Sequence, residues 1–197
     1  MSLPRALQGG FAPSELQFGP EQDVLVEIVP LFRMQTPFRL TGKLNGKSRT
    51  VGPFEPPRRA RIPLWLAVTL KRKRKCRIVA PPWMLLEKLE ELLREDTTSL
   101  GFSALPFCYM EISRVLLEVA SDDIPDAARI RMILKDLREV RQSKTRRGVE
   151  AINTTHLEMT NISQLELNEI RPFFTLAMKR MIALDPGDPS GKIHDEL

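Results

Sequence analysis

Residues 65–83 read "WLAVTLKRKRKCRIVAPPW": an apolar stretch turns abruptly into five consecutive cations, Lys71, Arg72, Lys73, Arg74 and Lys75, and two prolines close it before Trp83. The apolar half starts at Pro63, which suits the first turn of a helix. Leu64, Trp65, Val68 and Arg72 then share one helical stripe. The spacing predicts a helix whose basic end meets the negative pole of its own dipole. Three uses of the run compete: a solvated helix end, a patch for phosphate or an acidic partner, and a nuclear-import peptide. An import peptide must be accessible and flexible, whereas this run lies between apolar pieces. Binding to single strands would call for aromatics among the cations, and none lies between Trp65 and Trp83. Arg58, Arg59, Arg61, Arg146 and Arg147 add positive charge without forming a DNA-reading motif.

Upstream, "PFEPPRRARIP" (53–63) carries four prolines and three arginines and reads as a seam with little regular structure. Before it the chain is rich in short β signals. "DVLVEIVP" (23–30) suits a strand covered at least in part on both faces. "PFRLTG" and "SRTVGPF" read as two more strands around a turn at Lys43-Leu44-Asn45-Gly46. "SELQF" (14–18) suits one helical turn with Ser14 as its cap.

Downstream the pattern is helical. "PPWMLLEKLEELLRE" places Leu85, Leu86, Leu89, Leu92 and Leu93 at helical spacing, with Pro82 near the start. "PFCYMEISRVLLEVA" aligns Tyr109, Ile112, Leu116 and Val119. A long helix opens near Asp122, Asp123 and Pro125, carries Ile130, Ile133, Leu134, Leu137 and Val140, and turns polar at Lys144. Ser163 and Glu166 form a capping-box pattern. Pro172 predicts a break near Ile170–Arg171, followed by a last helix from Phe173 to about Leu184. The fold class is therefore α+β, mostly α. A small β-rich domain (1–61) precedes a larger helical domain (62–184) and a Gly/Pro/charge-rich tail (185–197).

The chain has 197 residues and a net charge of +5, enough for one ordinary domain or two small ones. A mildly basic balance permits nucleic acid or an acidic partner without requiring either. Two cysteines, Cys76 and Cys108, imply no disulfide framework and a reducing compartment. No apolar run approaches the ~20 residues of a membrane span. The start, "MSLPRALQGGFAPSEL", lacks the apolar core of a secretory signal. The terminal His194-Asp195-Glu196-Leu197 and the triplets at Asn153 and Asn161 therefore read as coincidental matches to lumenal signals.

Little catalytic chemistry is on offer. His156 and His194 have no ligand-type neighbours at metal spacing, and no cofactor is implied. Cys76 reads as a buried structural thiol. "GDPSGKI" (187–193) has three residues between its glycines instead of four and Ile193 after the lysine, so it is not a phosphate loop. Asp122 and Asp123 read as helix-start residues rather than an acid/base pair. The last helix, "RPFFTLAMKRMIAL", is apolar on most sides. It either packs centrally in this chain or meets another one. Phe173, Phe174, Met178 and Met181 are the interface candidates, because aromatics and methionine are enriched in interface cores. Leu137, Arg138 and Arg141 on the long helix are further candidates.

"IPLWLAVTLKRKRKCRIVAPPW", "SDDIP", "KDLREVRQSK" and "LELNEIRPF" stand in the order in which the Psf-two subunits of GINS carry similar segments. "PSELQF" is similar to fungal members. The chain thus resembles that family over most of residues 11–184. Thr41–Val51, the tail, Arg58, Arg59 and Arg61 lie outside the resemblance. The resemblance implies a small β-rich B domain ahead of a helical A domain, a nuclear location and no enzymatic activity. It implies a structural place in a tetramer with the Sld-five, Psf-one and Psf-three subunits. That tetramer would join the MCM ring helicase and its further activating factor, and connect indirectly to DNA polymerase epsilon. The long helix and the C-terminal helices would lie in subunit interfaces. The alternative on the residues alone is a stand-alone nucleic-acid-binding module that uses Lys71 to Lys75, and a weak DNA contact fits either reading.

Overall fold

The computed structural model describes residues 11–44, 47–150 and 160–184. Asn45-Gly46, the Asn153 triplet, His156 and the tail from Asp185 with His194 lie outside the described residues. The first helix, α1 (Pro13–Asp23), is longer than the single turn expected. Ala12 caps it rather than Ser14: the Ala12 N–H donates to the Glu15 carboxylate at 2.7 Å, and Pro13 takes the first turn, where a missing N–H costs nothing. The helix continues through Gly19 and Pro20 because it packs on the helices that follow and buries Leu16. Tertiary contact overrides propensity here.

Strand β1 (Leu25–Pro30) is the centre of a three-stranded antiparallel sheet. Strands β4 (Ala60–Pro63) and β5 (Cys76–Ile78) flank it. Val26 stands opposite Ile62, and Ile28 opposite Ile78. These four buried side chains form the sheet's inner face. Strand β4 corrects the expectation of an irregular seam. It is an edge strand and Pro63 is its last residue, a place where proline does not interrupt the ladder. Phe54, within the same stretch, is buried, and its backbone pairs with Met34. The sheet thus takes strands from both sides of residue 61. The expected hairpin is present as β2 (Phe38–Leu44) and β3 (Lys47–Val51), with Phe38 opposite Val51 and Leu44 opposite Lys47. After β3 the backbone turns at Gly52, with φ +98°, where a Cβ would meet Met34 Cε at 2.9 Å. Only glycine fits there without displacing a neighbour.

Helix α2 (Leu64–Arg72) follows β4 directly. A 3-10 turn (Pro82–Met84) precedes α3 (Leu86–Thr98), so Leu85 caps α3 instead of lying inside it. Helix α4 spans Tyr109–Val119 and α5 Ala127–Glu150. A single cluster of buried side chains runs from Ile28 and Phe54 through Leu64, Met84 and Leu89 to Leu116, Ile130 and Leu137. The stripe on α5 is buried at Ile130, Ile133, Leu134 and Leu137, as its spacing requires.

Helix α6 (Gln164–Leu184) passes through Pro172 without the expected break. The proline removes one rung of the ladder, the N–H that would have bonded the Asn168 carbonyl. The Thr175 hydroxyl bonds the carbonyls of Arg171 and Pro172 one turn further on. The capping box at its start forms as its residues suggest. The Ser163 N–H donates to Glu166 at 2.9 Å and the Glu166 N–H to the Ser163 hydroxyl at 3.4 Å. No helix among the described residues is long and apolar enough to cross a membrane.

Candidate interaction surfaces

The five-cation run divides into two parts. Lys71 is no solvated lysine. Its side chain is 12% exposed, and its ammonium donates to Asp122 and Asp123, both at 2.7 Å. Burial opposes the charge on Lys71, but the two carboxylates outweigh it and raise the pKa above the usual lysine value. Asp123 also accepts the Ile78 N–H at 2.7 Å. The aspartate pair therefore locks the end of α2 and the start of β5 to the α4–α5 connection. It does not cap α5, which begins at Ala127. Arg72, Lys73, Arg74 and Lys75 are exposed, as is Arg77. The chain turns here through Arg74, at φ 56°. The Arg74 N–H donates to Lys71 O and the Lys75 N–H to Leu70 O, the pair of bonds that ends many helices. The exposed cations thus sit on a tight helix-to-strand turn.

Arg141 and Leu137, offered by the sequence as interface residues, are buried within the chain and leave no surface for a partner. Arg141 follows the apolar stripe of α5 one turn beyond Leu137 and carries a buried ionic cluster. Nε and Nη2 donate to Glu166 at 2.6 and 3.1 Å, and Nη1 to Asp96 at 3.1 Å. The remaining donors reach the carbonyls of Ser103 (3.3 Å) and Asn161 (2.6 Å), so all five N–H groups of the guanidinium are used. It also lies 4.7 Å from the centroid of the Phe102 ring. Burial works against the cation, yet Glu166 first, with Tyr109 and Asp96, pushes its pKa up. Asp96 accepts from the Ser103 N–H and hydroxyl and from Lys144 at 3.0 Å. These donors overcome burial and hold its pKa below the ordinary carboxylate value. Two cations meet two anions, which pins α3, α5 and the start of α6 together. The sequence does not announce Asp96 or Glu166 as Arg141's partners, although Asp96 stands on the stripe of Leu89 and Leu92.

Beyond Glu166, none of the α6 residues whose side chains are described is fully buried. Phe173 is 48% exposed and Leu176 39%, with Phe174, Met178 and Met181 half-buried. The apolar helix therefore does not pack centrally. A groove of about 440 Å³ runs beside it, lined by Gln142, Thr145, Glu169, Ile170 and Phe173. Arg138 lies partly exposed at the α5–α6 contact and donates to Glu169 at 2.7 Å.

Nothing else among the described residues suggests catalysis. No group of three or more potential metal ligands occurs there. Cys76 is buried and donates to the Ala67 carbonyl at 3.8 Å; burial, aided by Asp123, pushes its thiol up to about 11. Cys108 donates to Gln164 at 2.8 Å and is likewise pushed up to about 11, first by burial and then by Glu111 and Asp23. Neither is a poised nucleophile. Asn161 uses its side-chain amide on the Phe102 carbonyl at 3.1 Å.

Comparison with known families matches residues 12–79 to the PSF2 N-terminal domain and residues 83–184 to the GINS complex protein helical bundle domain. The DNA replication complex GINS protein psf2 of Schizosaccharomyces pombe is 42% identical over 181 residues, covering 92% of this chain and 94% of that protein. The PSF2 protein of Saccharomyces cerevisiae is 34% identical, covering 92% and 90%. That of Homo sapiens is 34% identical, covering 87% and 90%.

Proposed function

The chain belongs to the PSF2 family of GINS-complex proteins, and on that premise we propose that it is a non-enzymatic structural subunit of a heterotetrameric GINS assembly in DNA replication. Its work is to hold other chains in a fixed relation. The observation that carries this is the apolar face of α6. Phe173, Phe174, Leu176, Met178 and Met181 lie exposed or half-buried on one helix, and a concentration of incompletely covered apolar side chains of this kind marks a partner site. The aromatic and methionine content fits the centre of an interface.

The proposed partners are the other three GINS subunits, and through them the MCM ring helicase with its further activating factor and, indirectly, DNA polymerase epsilon. The proposed location is the nucleus. In this division of labour the helices that follow β5 carry the subunit contacts, and the sheet built on β1, with strands from both sides of residue 61, stands beside them. The test is the native mass and composition of this chain purified gently from its own cells. A stoichiometric assembly with three other chains of similar size supports the reading. A clean monomer sinks it.

Exposed Arg72, Lys73, Arg74, Lys75 and Arg77 favour a second, compatible role as a phosphate contact. A DNA contact through these groups weakens steeply with salt. Reversal of Lys73 and Lys75 to glutamate should abolish such binding while the assembly persists.

A further inference from the structure

Glu111 on α4 is only 6% exposed, yet neither of its carboxylate oxygens is bonded by another residue. Buried carboxylates are ordinarily paired or richly hydrogen-bonded. Glu111 lines a groove of about 350 Å³ to which α1, α4, α5 and α6 all contribute. Its apolar floor comes from Leu16, Leu117, Leu134 and Leu165. The same groove holds a second unmatched group: Arg138 Nε is buried without an acceptor, although the guanidinium end of that side chain bonds Glu169. Four helices thus converge on a space whose wall covers an acceptor unmatched by any other residue and a donor without an acceptor.

The charge around this space is unbalanced. Arg114, Arg131, Lys135 and Arg138 all line it. Arg138 has Glu169 and Lys135 has Glu139. Arg131 instead donates to the neutral Leu117 carbonyl at 2.6 Å. Among the described residues, neither Arg114 nor Arg131 is paired with a carboxylate, and none of the four cations forms an ion pair with Glu111. Burial pushes the Glu111 carboxyl above its usual range; its own backbone N–H opposes the shift and Glu166 adds to it.

We propose that this groove seats an acidic amphipathic segment of another chain of the assembly. Its apolar side chains would lie on the leucine floor. Its carboxylates would meet Arg114 and Arg131 at the rim, above the covered Glu111 carboxyl and Arg138 Nε. The proposal rests on the assembly reading above and adds a second contact site, remote from the exposed face of α6 around Phe173. The floor argues for a polypeptide over nucleic acid, because phosphate would satisfy the cations and leave the leucines uncovered. The basic rim argues against the chain's own residues 1–10, whose only charged side chain is Arg5, and the apolar floor argues against residues 185–197, which are acidic but carry only Ile193 and Leu197 as large apolar side chains.

The test compares the isolated chain with the complex obtained by co-expression with the other three GINS subunits. Amide exchange should slow across 110–117 and 131–138 in the complex. Arg114→Glu, a change at an exposed position, should leave the isolated chain folded and weaken its association with the other three subunits at least tenfold. Arg131→Glu, at the second exposed cation without a carboxylate partner, should weaken assembly likewise. If the complex forms and neither the exchange nor the two variants register the groove, this inference is overturned while the assembly reading stands. If no complex forms with the unaltered chain, both fall together. Protection already present in the isolated chain and lost on deletion of residues 1–10 or of 185–197 would put the chain's own segment in the groove. Protection that tracks self-association would put a second copy there. Either result overturns the proposal.

Discussion

At the scale of single residues, Arg141 is the position where sequence and structure part most clearly. Its place at the polar end of an apolar stripe offers it to a partner. The fold buries it instead and satisfies its five donors with Asp96, Glu166 and two carbonyls. The reason this is not legible in the sequence is distance: Asp96 lies 45 residues away and Glu166 25. The Ser163–Glu166 capping box, by contrast, spans three residues and can be read directly. Removing one partner of a buried ionic cluster strands the others. Arg141→Met should therefore cost about 3–5 kcal/mol, read as a lower denaturant midpoint at unchanged slope. Asp96 adds a pH signature. Its pKa is lowered in the folded chain from an ordinary value of 3.8. Its contribution is thus fully present above that value and is lost as pH falls through the folded pKa. Asp96→Asn should be less stable than the parent at neutral pH, and the difference should shrink below about pH 4. A gap that stays constant down to pH 2 would contradict the assigned role.

At the scale of elements, the sequence shows where helices lie better than where they stop. The stripe on α5 and the hairpin β2–β3 follow from local pattern. The end of α2 does not, because the left-handed position that terminates it is filled by Arg74 and not by glycine, so no marker residue stands there. Strand β5 is only three residues long. It is built by pairing with β1, a contact made across the chain and invisible to periodicity. Pro172 misleads in the other direction. A proline predicts a break, yet α6 continues past it. The same locality explains why five adjacent cations are not equivalent. Lys71 bonds Asp122 and Asp123, whereas Lys73 and Lys75 face solvent. Lys71→Glu should destabilise the chain by about 1.5–3 kcal/mol through the lost charged hydrogen bonds. Lys73→Glu should stay within about 0.5 kcal/mol. Thermal melts of the two variants side by side check this, and equal losses would mean that the aspartate pair does not anchor the turn.

At the scale of the whole molecule, the two ends of α6 have opposite characters. Its start is fixed by Glu166 in the Arg141 cluster and by Asn168, whose side chain bonds the backbone of Phe11 at 2.7 and 3.1 Å. The rest projects apolar side chains with no described residue fully buried. The core supports the helix's position and leaves its far face uncovered, an arrangement that suits a subunit better than a monomer. This separates folding from assembly, and the separation can be measured. Phe173→Ser with Leu176→Ser alters two exposed positions. Each change should cost the isolated chain about 1 kcal/mol, because about half of each side chain is already covered. The double variant should also remain soluble at concentrations where the parent associates non-specifically, since the apolar patch is reduced. Co-expressed with the other three subunits, it should fail to enter a stoichiometric complex, because truncating a hot-spot residue at an interface centre costs about 2 kcal/mol or more and Phe173 is the aromatic anchor of the pair. Native mass of the co-purified material reads the outcome. An intact four-chain assembly with both serines in place would show that α6 beyond Glu166 faces solvent in the complex too, and would move the subunit contacts to other faces of the helical domain.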